Sequence, residues 1–75
     1  MLLIMHPNID EKSEAFQQTW TYLTTLPNIR VQKHIVEGKA QRLMEIYLIG
    51  NTAKIDKEII EILPGVERVV RISEE

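Results

Sequence analysis

A chain of 75 residues has room for one domain with a single thin core, because folding at this size takes only about 60 to 65% of the unfolded surface out of water. Its 44% hydrophobic and 27% charged residues are those of an ordinary globular protein, and no apolar run approaches the roughly 20 residues of a membrane-spanning helix, so a soluble, cytoplasmic chain without a membrane partner is expected. The absence of cysteine removes disulfides, iron–sulfur clusters and thiol chemistry, and a net charge of −2 with interspersed signs offers no basic strip for a phosphate backbone, which argues against nucleic acid.

In chain order, "LLIMH" (residues 2–6) is a short apolar run closed by Pro7, which cannot continue a central ladder; it reads as a buried strand. Over residues 9–25, Phe16, Trp20 and Leu23 recur at i, i+4 and i+7 with Ala15, Thr19 and Tyr22 on the flank, the spacing of an amphipathic helix. Asn8 followed by Glu11 resembles a capping box, and Asp10, Glu11 and Glu14 put acid where the helix dipole favours it. Residues 29–37 set Ile29, Val31 and Ile35 on one face of a strand and Arg30, Gln32, His34 and Val36 on the other. Gly38 and Lys39 make the turn, and residues 42–49 return with Met44, Ile46 and Leu48 on one side and Leu43, Glu45, Tyr47 and Ile49 on the other. A second helix over 53–63, capped by Asn51 or Thr52, aligns Ile55, Ile59 and Ile62, with Lys54/Glu58 and Lys57/Glu61 as outward pairs. After "LPG", residues 66–72 form the last strand, with Val66, Val70 and Ile72 inward and Glu67, Val69 and Arg71 outward.

The order βαββαβ predicts an α+β fold of the ferredoxin-like kind, a four-stranded antiparallel sheet with both helices on one face. The helices would cover Val31, Ile35, Met44, Ile46, Leu48, Val70 and Ile72, with Trp20 and the three aligned isoleucines contributing most to stability. The uncovered face then gathers His34, Val36, Leu43, Glu45, Tyr47, Ile49, Val69 and Arg71. A wet sheet face is ordinarily polar, yet most of these residues are apolar or aromatic. Such a patch marks a partner surface, so pairing is expected through Leu43, Tyr47, Ile49, Val69 and Arg71, either as a homodimer or against another part of a larger protein.

Signals for catalysis are nearly absent. There is no Gly-rich phosphate loop and no Ser/His/Asp arrangement, and the acids fall on helix surfaces or in the tail, where solvation accounts for them. His6 and His34 lack the spacing of a helical metal pair, so neither metal nor cofactor is expected. His6 beside Pro7 reads as an exposed strand end. His34 carries two readings: a strand residue satisfied by a neighbour, or a hydrogen-bonding group at a ligand site near the hairpin turn. Tyr47 and Trp20 read as packing residues, because the strands lack the interleaved aromatics of an RNA-binding sheet.

Several segments carry a family resemblance. "LLIMHPN", "KHIVEGKAQR", "YLIGNT" and "LPGVERVVRI" together are similar to the N-terminal ferredoxin-like domain of bacterial 3-deoxy-arabino-heptulosonate-7-phosphate (DAHP) synthases, over nearly the whole chain. In that family the small domain precedes a barrel that carries out the first step of the shikimate pathway with a divalent metal. The resemblance implies a noncatalytic regulatory part that pairs between subunits, or with a synthase barrel, and binds aromatic amino acids. The family's ligand-contacting His falls on His34 and its turn glycine on Gly38; two positions after the His, where regulated members can have a hydroxyl, this chain has Val36. His6 likewise replaces the Lys common before the proline.

Two other readings stay open at the level of sequence. One is a free-standing ACT-like module for a small molecule or a protein outside that pathway, which the generic "LPGVERVV" would equally suit. The other is a small enzyme using the sheet as a floor, with His34 as general base and Arg71 as anion partner.

Overall fold

The structure, a computed structural model, describes residues 1–71; Ile72, expected to face inward, lies outside the described residues. The elements are β1 (Leu2–Met5), α1 (Glu14–Thr24), β2 (Ile29–Glu37), β3 (Arg42–Gly50), a 3₁₀ turn (Thr52–Lys54), α2 (Lys57–Glu61) and β4 (Val66–Val70). The strands lie in the order β2-β3-β1-β4 with every neighbouring pair antiparallel, which is the ferredoxin-like α+β arrangement expected from the element order. Leu3 and Met5 of β1, Met44, Ile46 and Leu48 of β3, Phe16 and Leu23 of α1, Ile60 of α2, and Val66 and Val69 of β4 form one buried cluster between sheet and helices.

The first helix starts five residues later than its spacing predicts. Asn8 is in the left-handed region (φ 60°), and it extends the sheet: its N–H donates to the Arg42 carbonyl at 2.8 Å, and its Oδ1 accepts from the Arg42 N–H at 2.7 Å. Asp10 then closes a turn on the Lys12 N–H, and Ser13 caps the helix by accepting from the Phe16 N–H. The buried stripe is Phe16, Thr19 and Leu23, so the helix is rotated from the expected Phe16, Trp20 and Leu23. Thr19 can be fully buried because its hydroxyl donates to the Pro64 carbonyl. Trp20 is only half-buried, stacked on Phe16 with centroids 5.8 Å apart. Lys33, from the helix side of β2, sits 5.9 Å from both ring centroids and 2.8 Å from the Glu11 carboxylate.

The second helix departs further. The expected helix over 53–63 is broken at Ile55, which is extended (φ −87°, ψ 130°), and Asp56 caps a fresh start by accepting from the Glu58 N–H. The break rotates the stripe: Ile60 is fully buried, while Ile59 is 46% and Ile62 80% exposed. The outward pair Lys57–Glu61 forms at 3.5 Å, but Lys54 and Glu58 no longer share a helix.

Val66 faces inward as expected, but beyond Glu67 the last strand has the opposite phase to that expected. Met5 pairs with Val66, and Ile4 pairs with Arg68, so Glu67 is an extra residue bulged out of the ladder. Strict alternation from Val66 would aim Arg68 into the core, where an unpaired charge is costly; the bulge turns Arg68 out and Val69 in. Val69 is 5% exposed, Val70 38%. Ile35, expected beneath the helices, is likewise 37% exposed, because it lies on the edge strand β2, while its partner Met44 on the next strand is buried.

Candidate functional site

The register defines the open face residue by residue. β2 contributes Arg30, Gln32, His34 and Val36, and β3 contributes Leu43, Glu45, Tyr47 and Ile49, as alternation predicts. β1 adds Leu2 and Ile4, and β4 adds Arg68 and Val70. Two rows cross all four strands. One is Gln32, Tyr47, Leu2 and Val70; the other is His34, Glu45, Ile4 and Arg68. Val36 faces Leu43 beyond the second row, and Arg30 faces Ile49 beyond the first. The face is thus an apolar field crossed by one row carrying His34, a carboxylate and a guanidinium.

His34 and Val36 share this face, both exposed, within one pleat of each other, while Gly38 lies in the hairpin turn, its N–H donating to the Gln41 carbonyl at 2.9 Å. Glu45 lies opposite His34, and its Oε1 accepts from the Tyr47 hydroxyl at 3.3 Å. The negative charge of Glu45, followed by partial burial and this hydrogen bond, raises the Tyr47 phenol above its ordinary value of 10.0.

Of the other expected surface residues, Leu43, Tyr47 and Ile49 do lie on the open face, but Val69 and Arg71 do not. Val69 is in the core. Arg71 shares its parity and reaches back to the helix side, where its guanidinium donates to the carbonyls of Thr52 at 3.2 Å and Ile55 at 2.9 Å. Strict period-two reading of "VERVV" caused both misplacements; the adjacent charges Glu67 and Arg68 between valines were the signal of a bulge. Leu2, Ile4, Arg68 and Val70 escaped the sequence reading because the first strand reads as apolar throughout, although a strand in a sheet with helices on one side must show its alternate residues outward.

Among the described residues no group of three or more His, Cys, Asp or Glu could hold a metal ion, and no helix is long and apolar enough to cross a membrane. The sequence matches the family model described as "DAHP synthase ferredoxin-like domain" over residues 1–74. No curated protein and no solved structure matches it.

Proposed function

From a chain that belongs to the DAHP synthase ferredoxin-like domain family, we propose that it serves as a noncatalytic regulatory domain of the shikimate-pathway synthase, pairing through its open sheet face and binding an aromatic amino acid beside His34. The observation that carries this reading is the composition of that face. Val36, Ile49 and Val70 are 44%, 45% and 38% exposed, and Leu2, Ile4, Leu43 and Tyr47 lie half-buried among them. A contiguous apolar field of this kind gains free energy when covered, at roughly 25 cal/mol for each Å² of apolar surface removed from water.

The face also suits a copy of itself. In the row His34, Glu45, Ile4, Arg68 the acid lies on β3 and the guanidinium on β4, on either side of Ile4. A two-fold axis running along β1 would set Glu45 of each copy opposite Arg68 of the other, so the charges that interrupt the field meet opposite charges on pairing. His34 and Val36 lie on an open strand, and a second copy would supply the wall that encloses a ligand there. Ligand binding would then favour the paired state, because only that state offers both walls. Val36 supplies no hydroxyl, so selectivity for phenylalanine over tyrosine is expected at this position.

The test is a titration of the isotope-labelled chain with phenylalanine, tyrosine and tryptophan, following amide shifts. Saturable shifts at residues 34–38 and 43–47, largest in affinity for phenylalanine, are expected. A chain that shows no saturable shift there with any of the three, in a paired state, would contradict the ligand part of the reading.

A further inference from the structure

The interrupted second helix leaves a cleft on the opposite side of the molecule from the open face. Its volume is about 360 Å³, within the roughly 300–1,000 Å³ of small-molecule sites. Leu26, Ile29 and Ile55, half-buried and packed on the core, line it, together with Tyr22 and Ile59. Those last two are large side chains left 37% and 46% exposed, so the cleft holds uncovered apolar surface.

Two opposite charges share the lining. Lys54 ends the 3₁₀ turn and Asp56 caps α2. No ion pair joins them; the ion pairs among the described residues are Lys33–Glu11 and Lys57–Glu61. Asp56 commits one carboxylate oxygen, Oδ1, to the Glu58 N–H at 3.0 Å, and a carboxylate has acceptor capacity beyond that one bond. The walls are held in place independently of any ligand. Arg71 clasps the carbonyls of Thr52 and Ile55 on either side of Lys54. Gly50 packs so closely on the Asn28 backbone that a Cβ there would stand 2.4 Å from the Asn28 carbonyl oxygen. A preformed apolar cleft bearing one ammonium and one carboxylate favours a ligand with the complementary pair of charges and an apolar remainder. A phosphate would meet one cation with a carboxylate nearby, and a simple amine would meet the reverse.

We propose that this cleft binds a free α-amino acid with an apolar side chain, its carboxylate at Lys54, its ammonium at Asp56 and its side chain against Ile55 and Ile59. The site is separate from the open face, so each can fail without the other. The test is an amide-shift titration of the whole chain with L-leucine and L-phenylalanine, and with N-acetyl-phenylalanine and phenylalaninamide, which each lack one of the two charges. The expected result is saturable shifts at residues 26–29 and 51–59, with at least tenfold weaker binding of both derivatives. Lys54→Gln and Asp56→Asn should each weaken leucine at least tenfold; asparagine is as good a helix cap as aspartate, so the fold is kept. Shifts confined to residues 34–47 would leave the open-face site and overturn this one. Equal affinity for the derivatives, or no loss in either variant, would also overturn it.

Discussion

The two halves of this fold, β1–α1–β2 and β3–α2–β4, have equivalent layouts but unequal helices. α1 has 11 residues and buries Phe16, Thr19 and Leu23, whereas α2 has 5 and buries Ile60 alone. The difference begins at the caps. Ser13 starts a helix that runs unbroken to Thr24, but Asp56 competes with Asn51 and Thr52 for the start of the second and wins, so the residues between them become a 3₁₀ turn. A cap placed four residues late removes a turn of helix, re-phases the isoleucines and opens the cleft beside Ile55. Local hydrogen-bond chemistry thus decides how much surface the second half leaves uncovered.

The largest expected effects separate the two stripes. Leu23→Ala and Ile60→Ala, at positions with no exposure, should each lower stability by about 2–5 kcal/mol in urea unfolding, whereas Ile62→Ala, at 80% exposure, should stay within about 0.5 kcal/mol. Equal costs at Ile60 and Ile62 would show the phase of α2 to be wrong. Next comes the joint between the halves. Gly50 has φ 133°, and its Cβ would meet the Asn28 carbonyl, so Gly50→Ala should cost about 2–3 kcal/mol. Gly38→Ala, in the hairpin turn with only a 3.3 Å approach to the Gln41 carbonyl, should cost less than about 1 kcal/mol by the same assay. Between the two glycines falls Thr19→Val, which removes the hydrogen bond from α1 to Pro64, just beyond α2, at nearly constant volume: about 1 kcal/mol.

The smallest effect concerns pH. Tyr47 ionises above 10.0 in the folded chain because of Glu45. The unfolded chain therefore releases that proton first, and stability falls as pH rises from 10.0 toward the raised value. Glu45→Gln should bring phenolate formation at Tyr47 to lower pH, read by ultraviolet absorbance in a Tyr22→Phe background. An unmoved titration would show that Glu45 is not the cause.

Regular alternation made most of the sheet legible in the sequence. The β2 and β3 faces follow from "RVQKHIV" and "LMEIYLI" because neither strand is bulged. The phase of β4 was hidden by the bulge at Glu67, which exchanges Val69 and Val70, and with it went the placement of Arg71. Trp20 attracts attention by size, yet Thr19 is the buried residue, because only a partner distant in sequence, Pro64, makes its burial favourable. Of the candidate site, His34, Val36, Leu43, Tyr47 and Ile49 were legible on one face; the cleft was not, because it arises from a helix start that periodicity does not register.

Whether the open face pairs is decided by sedimentation of three proteins at tens of micromolar: the unaltered chain, Tyr47→Glu on the open face, and Ile62→Glu on the helix side. Pairing through the open face predicts a dimer for the first and the third. Tyr47→Glu, which would bury a charge in the pair, should weaken association by about 3 kcal/mol or more and sediment as a folded monomer. A monomeric unaltered chain, or a dimer broken by Ile62→Glu and kept by Tyr47→Glu, would contradict it.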